Sequence, residues 1–452
     1  MLSHFFINKR GTKKRITFKE IGNMKYKFIG LFTSLLMVMG CIIPVNAKVN
    51  VNTNNLYSEY AYVYDNTGDK VLYDHKGEER MFPASMTKVL TVYSACKRIK
   101  DINESVTIDQ EDVAHVYEQD ASSAGFVAGE KLTYKDLLYG ALYPSGADAC
   151  WALGRLIAGS EKNFVKLMNQ DAKALGMKDS HFVTSTGLHD DKHYTTCKDI
   201  SMLLKAALQN KIFRSIFTGD NYYTTTDKRI RMMNTLTRTR VKAHAAARSE
   251  LLGAKSGYTS IAGHCLVSLA KVNGHEIITT TAKAFSTKFG VARFSAGCAV
   301  LDHNVLVGNV KDQTKNVKIM KKNELVNTIK IRFGEITSYK IKTSRDVSLL
   351  LDKNFAGAVK VSFKGKNVLQ APVNKGDVLG KIIVSSDGQT LYSETVKADR
   401  TILFDYKTLF IYVLKRVLVV LAILIVLAIL LRIRKHKRKK RYQKYRERRK
   451  GA

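Results

Sequence analysis

Two apolar stretches, one near each end, constrain this chain most. The first, residues 28–45, follows Lys25 and Lys27 and runs into Val45-Asn46-Ala47. A basic run, an apolar run and a small residue in that order predict a secretory signal segment, 1–47, cleaved after Ala47. A start at Met24 would give that signal ordinary length. An uncleaved anchor is the alternative reading, and Val38-Met-Gly-Cys41 faintly matches a lipoprotein box. The second stretch, 409–431, holds 23 residues with Lys415 and Arg416 near its start. About 20 apolar residues suffice to cross a bilayer, and long basic side chains near one end can reach back to the interface. The following Arg432-Ile-Arg-Lys-His-Lys-Arg-Lys-Lys-Arg441 predicts a cytoplasmic tail, 432–452. The chain is therefore expected to be exported and held by a C-terminal transmembrane helix, with residues 48–408 outside.

The net charge of +35 raises nucleic acid as a partner. Its distribution argues against that. Residues 1–27 carry eight Lys/Arg against one Glu, and residues 432–452 carry thirteen against one. More than half of the excess flanks the two apolar stretches, where it acts as a topology signal. The remainder favours an anionic surface such as a cell wall, and no nucleic-acid partner is expected.

Six cysteines are present: Cys41, Cys96, Cys150, Cys197, Cys265 and Cys298. They are scattered, with no C-x-x-C pair, which fits neither a zinc ribbon nor a disulfide framework. Buried structural cysteine is the expectation.

Between the apolar stretches the pattern changes once. Residues 59–74 alternate, with Ala61 and Val63 against Tyr62 and Tyr64, and break at Asn66-Thr-Gly68, which predicts a hairpin of Tyr60–Tyr64 and Lys70–Tyr73. Helical patterns follow from Pro83 to Lys97 and over 133–158, 161–175 and 197–209. A strand pair, His264–Val272 and Glu276–Thr281, turns at Asn273-Gly274. Strands at both ends with helices between predict an α/β domain whose sheet is closed by both ends of the segment, around a helical insertion. From about 317 to 404, short β-type runs recur: Thr328–Phe333, Ser338–Thr343, Val347–Leu351, Ala358–Phe363 and Gly380–Ser385. These predict a small all-β domain. The expected division is a catalytic domain at 48–310 and a β-rich domain at 316–404.

Three short motifs carry possible chemistry. In Ser85-Met-Thr-Lys88, a serine and a lysine three apart share a helix face. A serine hydroxyl needs an adjacent base, and lysine serves only when burial or a nearby cation lowers its pKa from about 10.4. Ser145-Gly-Ala147 offers a hydroxyl for proton relay, although Pro-Ser-Gly before a helix also reads as an N-cap. Lys255-Ser256-Gly257, followed by Tyr258, offers a cation and a hydroxyl on a strand edge for a substrate carboxylate. Gly257 would let a backbone approach closely.

Together and in this order, the three resemble the S-x-x-K, S-x-x and K-[ST]-G set of penicillin-binding proteins and serine β-lactamases. The flanks Arg80-Met-Phe-Pro-Ala-Ser-Met-Thr-Lys88, Leu137-Leu-Tyr-Gly-Ala-Leu-Tyr-Pro-Ser-Gly-Ala-Asp-Ala149, Thr186-Gly-Leu-His-Asp-Asp190 and Gly253-Ala-Lys-Ser-Gly-Tyr258 resemble low-molecular-mass D-alanyl-D-alanine carboxypeptidases. The resemblance is strong over about 56–300. It implies a β-lactamase/transpeptidase-like α/β fold, in which an antiparallel sheet is flanked by helices. It also implies a serine carboxypeptidase that removes the terminal D-Ala of peptidoglycan stem peptides through an acyl-enzyme, without a cofactor or metal. β-Lactam antibiotics would acylate the same serine. Ser85 would be the nucleophile, Lys88 its base and Ser145 a proton relay. Lys255 and Ser256 would bind the terminal carboxylate, and the Ser85 and Tyr258 N–H groups would form the oxyanion hole. Alternatives are a catalytically weak penicillin-binding or wall-binding protein, or a serine β-lactamase.

Two positions depart from that family. Ala147 stands where the second motif usually has Asn, removing an amide that normally touches substrate and lysine; Asp148 is expected to point elsewhere. Ser256 replaces the commoner Thr and keeps the hydroxyl. His189 and His193 form an H-x-x-x-H run, but without the H-E-x-x-H helix of zinc peptidases they are expected to be structural.

Overall fold

Strand residues alternate between two hydrophobic cores, one on each face of a sheet. The computed structural model describes residues 49–226, 228–234, 251–289 and 297–450. The expected signal segment, its cleavage point and Cys41 lie outside them. The hairpin forms as β1 (Tyr60–Asp65) and β2 (Lys70–His75). Ala61 and Val63 face one core, while Tyr60 and Tyr62 face the other. The period of two read from the sequence thus sorts side chains between two buried faces.

Helices supply most of the first core. They are α1 (Lys88–Cys96), α2 (Gln110–Glu118), α3 (Tyr134–Leu142), α4 (Ala147–Ala158), α5 (Glu161–Ala174), α6 (Cys197–Ala207) and α7 (Lys211–Phe217). The single helical pattern expected over 133–158 is two helices. The break at Tyr143-Pro-Ser-Gly146 lifts Ser145 out of the helix with a φ of +65°. Thr133 and Asp136 close a capping box at the start of α3, and Gly159 ends α4 in the left-handed conformation.

The sheet is completed by β3 (Leu251–Thr259), β4 (Gly263–Val272) and β5 (His275–Ala284), in the order β2-β1-β5-β4-β3, antiparallel throughout. The strand pair expected at 264–281 is β4 and β5. β3 carries Lys255-Ser-Gly257, the motif expected on a strand edge, and lies at the edge of the sheet. α8 (Gly297–Gln313) covers the second face with Leu306, Val307 and Val310. Its Asp302 is buried and accepts from the N–H groups of Tyr57 (2.8 Å) and Ser58 (2.7 Å) and the Ser58 hydroxyl (2.5 Å). Asp302→Ala strands those three donors, so urea unfolding should show a loss of about 3 kcal/mol with an unchanged m-value.

The β-rich part comprises β6 (Thr314–Met320), β7 (Leu325–Arg332), β8 (Ser338–Lys342), β9 (Val347–Asp352), β10 (Lys360–Gly365), β11 (Val368–Gln370), β12 (Val378–Ser386) and β13 (Gln389–Lys397). Three of these, β6, β11 and β13, lack an expected counterpart. His275, fully buried, connects the two parts: its Nδ1–H donates to Asp65 Oδ2 (2.8 Å) and its Nε2 accepts from the Ser348 hydroxyl (3.0 Å). The chain ends in α9 (Tyr406–Lys450), whose apolar side chains are exposed along its length. The five cysteines within the described residues are all free and buried.

Candidate active site

Ser85 lies in a 3-10 turn, Ala84–Thr87, that feeds into α1 with Lys88 as its first residue. The sequence pattern predicts one helix opening near Pro83. The tighter turn results from the backbone of Ala84, which is held at a φ of +46°. A non-glycine residue pays about 1–2 kcal/mol for that conformation, so the surroundings must hold it.

They do so from two sides. On one side Gly187, at a φ of +80°, packs against the turn; a Cβ there would lie 2.0 Å from Ala84 O and 2.7 Å from Thr87 Oγ1. On the other side β3 passes at Gly257, where a Cβ would lie 2.7 Å from Ser85 N and 3.0 Å from Pro83 O. Gly257 is therefore needed for the approach of the strand to the turn that carries Ser85.

The segment around Gly187 is tied to α1 by polar bonds. The Thr91 hydroxyl donates to Ser185 O (2.6 Å), and Glu161 accepts from the Ser185 N–H (2.9 Å) and hydroxyl (2.6 Å). His193 is buried. Its Nδ1 accepts from the Val183 N–H (3.1 Å), so the proton sits on Nε2 and is donated to Thr87 Oγ1 (2.9 Å). Thr87 in turn donates to Ala84 O (2.8 Å). Burial pushes the His193 pKa down to about 4, which keeps the ring neutral in this role. Both ring nitrogens of His193 are thus engaged with protein groups.

Lys88 Nζ lies 3.0 Å from Ser85 Oγ and donates to Thr186 O at 2.7 Å. The lysine is buried, and desolvation holds its pKa below the ordinary lysine value. Negative charge at Cys150 or Asp148 would oppose that shift. Burial raises the Cys150 pKa to about 12, so its thiol carries no charge at neutral pH. The Asp148 carboxylate is engaged by the Ser123 hydroxyl (2.7 Å) and the Ala124 N–H (2.9 Å). Its hydrogen bonds thus go to the 123–124 segment. A neutral Lys88 amine has one lone pair to accept the Ser85 proton, while one of its hydrogens stays on Thr186 O.

Across the site, Lys255 Nζ lies 3.1 Å from Ser145 Oγ and 2.7 Å from Ser256 O. Lys255 is buried, Ser85, Ser145 and Ser256 are half-buried, and Tyr258 is exposed on β3. Residues from three distant segments therefore form two Lys–Ser pairs, Lys88–Ser85 and Lys255–Ser145. Ala147 lies in a small apolar cluster with Val116 and Trp151, packed by Leu188. Its methyl group makes no polar contact, and the acceptor that steadies Lys88 is the carbonyl of Thr186. Sequence reading missed Thr186 and Gly187 as site residues, although Ser-Thr-Gly-Leu-His contains the positive-φ glycine signal that marks a close approach.

A family model described as D-alanyl-D-alanine carboxypeptidase matches residues 47–286, and one described as penicillin-binding protein 5, C-terminal domain, matches residues 315–403. The D-alanyl-D-alanine carboxypeptidase DacF of Bacillus subtilis is 31% identical over 361 residues, which cover 77% of this chain and 86% of that protein. The corresponding DacA of Escherichia coli is 26% identical over 362 residues, covering 74% and 81%. Penicillin binding protein 5 from Haemophilus influenzae shares the fold, with a TM-score of 0.65 at 23% identity, covering 78% of this chain and all of that one.

Proposed function

The chain belongs to the D-alanyl-D-alanine carboxypeptidase family, and we propose that Ser85 is the nucleophile with which it removes the terminal D-alanine of peptidoglycan stem peptides. The observation that carries this reading is the Lys88–Ser85 pair, a buried amine of lowered pKa 3.0 Å from a hydroxyl. Lys88 takes the Ser85 proton as Oγ attacks the carbonyl before the last D-alanine. Ser145 passes a proton to the departing amine, and Lys255 with Ser256 binds the terminal carboxylate. The N–H groups of Ser85 and Tyr258 stabilise the developing oxyanion, each worth about 3–4 kcal/mol. Water then hydrolyses the ester on Ser85. β-Lactams acylate the same oxygen.

We assign residues 48–310 to the catalytic domain and 316–404 to the β-rich domain. Residues 409–431 are read as the membrane anchor, with 432–452 as a cytoplasmic tail. At about 1.5 Å per residue the 23 apolar-stretch residues reach about 35 Å, enough for a hydrocarbon core of about 30 Å. The exposure of their side chains suits lipid contact.

The full-length chain in detergent should release D-alanine from an acetylated peptide ending in D-Ala-D-Ala. Mass spectrometry should find penicillin on the peptide containing Ser85. Absence of D-alanine release while the penicillin adduct still forms would favour a catalytically weak penicillin-binding protein, the reading suggested by Ala147. Rapid penicillin hydrolysis would point to a β-lactamase.

A further inference from the structure

One face of the β-rich part carries cations that no carboxylate offsets. β10, β12 and β13 form an antiparallel sheet with β12 in the middle. Phe363, Ile382 and Glu394 share a row across it, and Ile382 and Val384 are buried, so that face packs inward. The alternate residues face outward. They place Lys364 directly opposite Lys381, with Thr395 completing the row. Ser362, Ile383 and Ser393 form the next row, and Lys360 lies beyond it, opposite Ser385. Lys397 lies at the other end, opposite Val378. All four lysines are exposed, and no ion pair among the described residues includes any of them.

Residues 353–397 hold seven lysines against three acidic residues, and the three acids are engaged away from this face. Asp377 accepts from the Asn374 N–H (2.8 Å) and Asp387 from the Ser386 hydroxyl (3.3 Å), both in turns. Glu394, on the inward face, accepts from the Tyr392 hydroxyl (3.2 Å). Lysines on edge strands guard against edge-to-edge pairing, but Lys381 stands on the middle strand. Like charges directly opposite one another cost stability, and folding alone gives no reason for the Lys364–Lys381 contact. A partner that supplies the missing negative charge does.

At about 3.4 Å per residue, Lys397 and Lys360 stand about 10 and 14 Å to either side of the Lys364–Lys381 pair. The cations therefore form a row about 24 Å long. We propose that this face binds a linear polyol-phosphate polymer of the cell wall. Its phosphates meet the lysines, and its hydroxyls meet those of Ser362, Ser393 and Thr395. A row of charged stations suits a chain. A surface that lies on a bilayer carries large apolar side chains that insert, and this face offers only the half-buried Ile383 and, at its end, Val378. With residues 48–408 outside the membrane, as read above, the polymer gives the β-rich part a second hold besides the anchor at 409–431. The proposal is independent of the reaction at Ser85.

The test is acetylation footprinting of the full-length chain in neutral detergent, read lysine by lysine with mass spectrometry, so that the basic tail does not obscure the face. The probe is a synthetic poly(glycerol phosphate) oligomer. At about 50 mM salt it should slow acetylation of Lys364, Lys381 and Lys397 by about threefold or more and leave Lys353 and Lys375, exposed but off the face, unchanged. At about 0.5 M salt the protection should vanish through screening. In Lys364→Gln/Lys381→Gln the protection of Lys397 should fall by about half or more, while the melting temperature stays equal or rises because a like-charge contact is gone. Equal protection of Lys353 and Lys375, or none on the face, overturns the site. Protection by mixed micelles containing phosphatidylglycerol but not by the oligomer overturns the polymer in favour of a bilayer surface. A lower melting temperature in the double variant assigns the two lysines a structural role and overturns the proposal as well.

Discussion

Lys88→Gln is expected to slow acylation of Ser85, by peptide and by penicillin alike, by about 10³-fold, within the range that a positioned general base contributes. Glutamine keeps a donor for Thr186 O but cannot accept the Ser85 proton. The pH profile separates this role from a merely structural one. Burial lowers the Lys88 pKa, so wild-type kcat/KM should rise as pH climbs through that lowered value and the amine becomes neutral. The variant should lack this limb, and a variant that retains it would remove Lys88 from the role of base. Stability shifts in the same direction. Between the lowered folded value and the ordinary lysine value, the unfolded chain binds a proton that the folded chain does not, so Lys88 makes stability rise with pH across that window. Below it, the buried lysine contributes a constant penalty. Unfolding free energies measured at pH 7 and pH 9.5 should therefore differ less in the variant than in wild type.

The second large effect concerns no chemical group. Gly187→Ala should lower kcat/KM by about 10²-fold, because a displacement of about 1 Å at reacting groups has that effect. The new Cβ would stand 2.0 Å from Ala84 O and 2.6 Å from Ala84 C. Both are backbone atoms of the turn that carries Ser85, so the turn itself must move. The left-handed φ adds about 1–2 kcal/mol and the overpacking about 1–3 kcal/mol. Gly129→Ala isolates the first of these contributions. Gly129 has a φ of +82° and nothing within 4 Å of its Cβ position. It should lose stability modestly and keep activity. Equal behaviour of the two variants in melts and peptide hydrolysis would show that Gly187 does not clamp the turn.

The two cases differ in how far the sequence revealed them. Ser85 and Lys88 are three residues apart, and such spacing on a helical turn brings two side chains together whatever the rest of the chain does. The alternation over β1 was equally legible, since a strand sends successive side chains to opposite faces. The contacts of Thr186 and Gly187 with the turn at 84–88 span about 100 residues and depend on the packing of α1 against the segment after α5. No local pattern encodes that pairing. The extent of β3 has the same origin: the Lys255-Ser-Gly257 motif reads as a strand edge, but Leu251–Thr259 contains two glycines and a buried lysine, a composition that weakens any strand signal, and its full length is a strand because β4 pairs with it and Gly257 must pass close to Ser85.

Taken by itself, the sequence determined the apolar stretches at either end, the α/β and all-β segments, the order of the three motifs and the identities of Ser85, Lys88, Ser145 and Lys255. These are read from covalent spacing, which survives without a fold. Only the tertiary structure decided how the lysine is steadied where Ala147 supplies no amide. The carbonyl of Thr186 does so at 2.7 Å. Any residue carries a backbone carbonyl, so its identity is silent in the sequence, and only the packing of two distant segments brings this one to Lys88.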